Sequence, residues 1–156
     1  MNDKKIAVTG VIISIIILLL ALYNTFYKPY QEKKNILDGL KLEIEYSNFL
    51  IYNFESNKES WKHNTESTLM RFEYNYLEKS LELTKMNSSI RQVVSVTLID
   101  LKNANRLLDA IDDIKRFADE GKWSDYWELK SEYIDSLNSS MEKIKENLNF
   151  ISKNIE

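Results

Sequence analysis

The chain of 156 residues contains no cysteine. That excludes disulfides, thiolate catalysis and cysteine-based zinc or iron–sulfur sites. Proline occurs once, at Pro29, and glycine three times, at Gly10, Gly39 and Gly121. Isolated glycines build no phosphate-cradling loop. With so few chain breakers among many Leu, Ile, Lys and Glu residues, the composition points to an all-α fold. The single histidine, His63, leaves no Ser-His-acid set and no second imidazole for a di-iron bundle. Glu59 and His63 stand four apart, a spacing that shares a helix face, but a solvated pair is the simpler reading. Asp109, Asp112 and Asp113 lack the glycine of a calcium loop and read as a solvated helix face. No catalytic residue, metal ligand or cofactor-binding residue is therefore expected, and the chain reads as no enzyme.

Charge is missing from one long stretch. Between Lys5 and Lys28 no residue is charged, and Val11 to Leu22 is almost wholly Ile, Leu and Val. Residues 6–27 as a helix span about 33 Å, enough to cross a hydrocarbon core of roughly 30 Å. The run is longer than a signal peptide's apolar region. It exits through Ala21-Leu22-Tyr23-Asn24-Thr25-Phe26-Tyr27, which is bulky and aromatic rather than small. An uncleaved signal-anchor is the reading. Tyr23, Phe26, Tyr27 and Tyr30 suit the headgroup boundary, with Lys28 snorkelling beside them, so these five residues are the expected membrane-interface set. Lys4 and Lys5 face Lys28, Lys33 and Lys34 across the span, nearly a tie under the positive-inside rule. The very short basic tail, residues 1–5, favours a cytoplasmic N-terminus with the remaining domain outside.

Residues 28–156 make one ordinary domain. The net charge is −3, and with +1 carried by Asp3, Lys4 and Lys5 the domain holds −4. Mild acidity with interspersed signs speaks against nucleic acid as a partner. Ile36, Leu40, Ile44, Ser47, Ile51 and Phe54, widened by Leu37, Phe49 and Leu50, predict a helix from about 30 to 58. A polar gap follows to Thr65, with Asn64 or Thr65 as N-cap of the next helix. That next stripe is Leu69, Phe72, Tyr76, Leu83 and Met86.

Asn87-Ser88-Ser89 is the best turn-like tripeptide. It either separates two helices, with Ser88 or Ser89 as N-cap, or is run through by one helix from about 65 to 119. Ile90, Val94, Thr97, Leu101, Ala104, Leu108 and Ile111 hold heptad spacing beyond it. Gly121 can close that helix, and Ser124 can cap the last one. Trp127, Ile134, Leu137, Met141, Ile144, Leu148, Ile151 and Ile155 form the last seam, with Lys130 at its one skipped position. Tyr74 and Tyr126 fall off their stripes and read as surface aromatics.

Short connections imply an up-and-down antiparallel bundle after the anchor, of four helices, or of three long helices if the tripeptide is helical. Trp61 and Trp123, both in predicted connections, are candidate partner contacts. Asn87 and Asn138 match the N-glycosylation pattern. The layout resembles in outline the extracytoplasmic helical sensor domains of chemoreceptors and sensor kinases. The resemblance rests on layout rather than motifs, and neither a second membrane segment nor a signalling module accompanies it. The expected function is a membrane-anchored interaction or scaffold module displayed outside the cytoplasm. Its expected partners are the lipid bilayer, another membrane or extracytoplasmic protein, or a second copy of the chain. A small-ligand sensor and a cytoplasm-facing tether are the alternatives.

Overall fold

The computed structural model describes residues 2–63, 70–83 and 86–155, with side chains from Ile12 onward. Most of the described residues are helical and none forms a strand, and the chain divides into two compact units, residues 1–38 and 39–156. The first unit holds α1 (Asn2–Leu22), a π-helical turn (Tyr23–Tyr27) and the start of α2 (Lys28–His63). The nine large aliphatic side chains from Ile12 to Leu22 are all 46–60% exposed. A helix that is apolar all round belongs in a large core or in lipid, since burying each such side chain is worth roughly 1.5–3 kcal/mol. Among the described residues, one helix near the N-terminus is thus long and apolar enough to cross a membrane.

The π turn has a covalent cause. Pro29 has no N–H to donate to the Thr25 carbonyl, and its ring would press on that carbonyl in a regular helix. The ladder slips by one residue instead, and Lys28 N–H donates to the Tyr23 carbonyl five residues back. Helical backbone continues through the proline into α2, which reaches His63 rather than ending near residue 58.

The second unit makes four antiparallel passes. α2 is the first. Residues 70–83, which include the short helix α3 (Asn75–Ser80), are the second. α4 (Ser88–Asp113) is the third, and α6 (Trp123–Asn154) the fourth, after a corner containing α5 (Lys115–Asp119). Rising numbers on α2 meet falling numbers on α6, in Glu55–Lys145, Lys58–Asn138 and Lys62–Asp135. In the same way Arg71 meets Asp109 and Asp112 on α4, Phe72 meets Asn105, and Glu78 meets Lys102. The core is Leu40, Ile44, Ile51 and Phe54 of α2, Val94 to Ile111 of α4 at heptad spacing, and Ile134 to Ile151 of α6, with Phe72 and Leu77 inserted from the second pass.

Only six residues of the second pass are α-helical, although its stripe reads as a longer helix. Tertiary contacts outweigh the local pattern. The Asn105 side chain takes the Phe72 N–H at 2.8 Å and donates to its carbonyl at 2.9 Å. This pairing satisfies the backbone as a strand neighbour would and frees it from helical bonding. Arg71 is held at 2.8 and 2.7 Å by Asp109 and Asp112. The Glu43 carboxylate of α2 accepts from the N–H groups of Tyr76 and Leu77 at 2.8 and 2.9 Å. Those are the orphan donors of α3's first turn, so a residue from another helix supplies the cap. One turn before Glu43, the Tyr76 ring lies over Gly39, and a Cβ there would overlap the ring. Gly39 therefore costs helix propensity to admit Tyr76.

Several local expectations change. The tripeptide does break the chain, but Asn87 is the N-cap, accepting from Ser89 N–H at 2.9 Å. Asn64 and Thr65 lie outside the described residues. Gly121 turns the corner at φ 79°, a left-handed conformation open to glycine. α6 starts at Trp123, so Ser124 lies inside its first turn and caps nothing. Phe49 faces outward, on the side of α2 opposite Leu40 and Ile51. Tyr126 and Lys130 are fully buried and complete the α6 seam, while Trp127 is only half-buried. The reason is phase: 126, 130, 134 and 137 follow four–four–three spacing, which puts Tyr126 rather than Trp127 on the buried face of α6.

Candidate functional site

Four features are candidates, and two of them share Trp61. At the π turn, Tyr23, Phe26, Tyr27 and Tyr30 are all more than half exposed, and with Leu22 they line an open groove. The Tyr23 and Tyr27 rings lie 5.3 Å apart, tilted by 33°. Lys28 is exposed beside them. The five residues named from sequence thus follow directly after the apolar span. The slipped ladder alters the angular spacing of the rings from that of a regular helix.

The two candidate partner tryptophans sit in separate places. Trp61 lies within α2 and is half-buried, its ring edge-on to Phe54 at 5.4 Å. It is part of the bundle wall rather than of a connection. Trp123 opens α6 and stays 49% exposed. It stacks on Trp127 at 6.5 Å and meets Tyr126 edge-on at 6.2 Å. Among the described residues no ring contact joins Trp61 to Trp123. Of the two, Trp123 keeps the larger exposed surface.

Behind Trp123 is an arrangement that seam counting missed. The Lys130 ammonium lies 5.4 Å from both the Tyr126 and the Trp127 ring centroids. Ring quadrupoles partly replace the water that this buried cation has lost. Burial, reinforced by the charge of Lys115, lowers the Lys130 pKa from its ordinary value. The neighbouring Tyr126 hydroxyl is buried without a hydrogen-bond partner among the described residues, and burial, aided by Asp112, raises its pKa. Tyr74, the other off-stripe tyrosine, packs against the core with Lys102 over its ring at 5.2 Å.

The acidic patch is occupied by the protein itself. Asp109 and Asp112 take Arg71, and Lys115 reaches Asp112 at 3.0 Å. Burial pushes the Asp112 carboxyl up, but the hydrogen bonds from Arg71 and Lys115 outweigh it, and the net direction is down. Among the described residues no group of three His, Asp or Glu side chains is placed to hold a metal. Asn138 lies in mid-helix, where its amide accepts from Lys58 and donates to Glu142. A mid-helix amide engaged on both sides is poorly presented for glycosylation. Asn87 is exposed, but its oxygen serves as the cap.

The fourth feature is a cleft of about 240 Å³ between α2, the second pass and α6. Leu50, Phe54, Phe72 and Met141 form its buried floor. Asn53, Asn57, Trp61 and Met70 form its rim. The α2 members recur at helical spacing along the edge of the core stripe. Sequence reasoning had no way to find it, because a void depends on where Phe72 inserts, and that depends on Asn105 and Arg71. No known protein family matches the chain, and no curated protein or solved structure matches it significantly either.

Proposed function

We propose that the protein is a membrane-anchored interaction module, whose helical bundle is displayed outside the cytoplasm and binds another protein without catalysis. The observation that carries this reading is the exposed apolar helix with its aromatic collar, leading into a bundle that closes its own core. The collar is read as sitting at the headgroup boundary, with Tyr hydroxyls and Lys28 in water and the Ile–Leu run in lipid. Trp123 is the contact residue of choice, because an exposed indole on a rigid helix start desolvates much area at little entropic cost.

The test places a photo-crosslinking amino acid at Trp123 in the full chain and irradiates native membranes. One discrete crosslinked protein at Trp123, absent when the crosslinker is moved to exposed Ser139 on the same helix, supports the reading. A self-crosslinked species would make the partner a second copy of the chain. No discrete product at Trp123 would remove it as the contact. The cleft favours a second reading, in which the displayed bundle also senses a small ligand.

A further inference from the structure

We infer that the cleft between α2 and the second pass binds a neutral, planar aromatic molecule of about bicyclic size that carries one N–H or O–H group, the indole class. Its volume sets the size. An apolar cavity of roughly 150 Å³ in another protein takes benzene, and this one measures about 240 Å³. That is too small for a helix of a protein partner and falls below the usual range for drug-sized ligands. The lining sets the chemistry. The Phe54, Trp61 and Phe72 rings and the Met70 and Met141 thioethers offer π and sulfur contacts to a flat ring. Phe54 and Trp61 are already fixed edge to face at 5.4 Å, so this wall is formed before any ligand arrives.

Among the described residues no charged side chain lines the cleft. Against these described lining residues a carboxylate or ammonium ligand would lose hydration with no counter-charge, which favours a neutral molecule. Among the described lining residues the hydrogen-bond acceptors are two amides on one face of α2, beside the Trp61 indole N–H, which is a donor only. The Asn57 Nδ2 donates to the Asn53 carbonyl at 2.8 Å, which fixes that side chain and leaves its oxygen as an acceptor. The Asn53 side chain lies half-buried on the same rim. An N–H or O–H on the ligand edge finds an acceptor on this rim while the rings below hold the apolar body. Met70, 60% exposed and in contact with the Tyr46 hydroxyl at 3.8 Å, stands at the mouth and can move aside at low cost.

The experiment uses the full-length chain in lipid nanodiscs and 5-fluoroindole followed by fluorine NMR, with empty nanodiscs correcting for partition into lipid. Saturable one-to-one binding is expected, with no binding of benzoate, a charged ring of similar width. Asn53→Leu and Asn57→Leu together should weaken the affinity about tenfold, the loss of one hydrogen bond. Met70→Trp, at an exposed rim position, should block entry while leaving helicity and melting temperature at wild-type values. Three results would overturn the inference: no saturable signal above empty nanodiscs, equal affinity for benzoate, or binding unaltered in both the double Asn variant and Met70→Trp. Saturable binding of decanoate in place of fluoroindole would also overturn it, by assigning the cleft to an acyl chain.

Discussion

Replacing Glu43 by alanine removes the cap of α3 without touching α3 itself. The two N–H groups it serves, on Tyr76 and Leu77, lie at 2.8 and 2.9 Å from the carboxylate, and Leu77 is fully buried. A hydrogen bond to a charged group contributes roughly 1.5–3 kcal/mol, and an orphaned buried donor costs about 1–3 kcal/mol. Removing Glu43 also relieves its own desolvation, which offsets part of that sum. The net local destabilisation is about 2–3 kcal/mol. Amide hydrogen exchange of the full chain reads it directly. If the second pass opens as a local unit, the Tyr76 and Leu77 amides should exchange roughly 30- to 150-fold faster in Glu43→Ala. Glu43→Gln, which keeps one acceptor oxygen, should fall between the two. Exchange at the wild-type rate in Glu43→Ala would refute the claim that the carboxylate holds this segment.

Other perturbations follow the same contacts. Gly39→Ala should lower stability by about 1–3 kcal/mol in thermal unfolding despite alanine's better helix propensity, because the Tyr76 ring must move. Asp112 binds fewer protons folded than unfolded. Its contribution is therefore complete above the unfolded carboxylate pKa, near 3.9, and is lost as pH falls through the lower folded value. Arg71→Ala should flatten the acid side of the stability–pH curve below about pH 4. Lys130 also binds fewer protons folded, since its pKa is lowered. Stability should therefore rise as pH climbs from its folded value toward the unfolded one near 10.4, and Lys130→Met should abolish that alkaline rise in denaturant titrations.

The sequence shows what depends on periodicity and hides what depends on a partner across space. The long apolar helix is legible because an uncharged run of this length has few physical readings, and α4 because its heptad positions are the ones it buries. Tyr126 reads as a surface residue because a seam counted backward from Ile134 can follow either of two adjacent residues near a helix start, whereas Lys130 does occupy the seam position that the spacing skips. The second pass was misread for a deeper reason. Phe72, Tyr76 and Leu77 carry helical spacing, but Asn105, Glu43 and Arg71 bond the backbone or flanks of that segment from a distance. A lone Asn, Glu or Arg gives no sign of this in one dimension. Gly39 was the nearest visible clue, since a glycine inside a strong helical stripe marks a close approach. The cleft lies one step further out, because it exists only once that segment is in place.

Surface proteolysis of intact cells carrying the full chain with a C-terminal tag is the most direct test of the account. An anchored, displayed bundle predicts that the tag sediments with membranes through an alkaline wash and disappears when protease is added outside. A tag released by the wash, or one that survives external protease and is cut only after lysis, would contradict it.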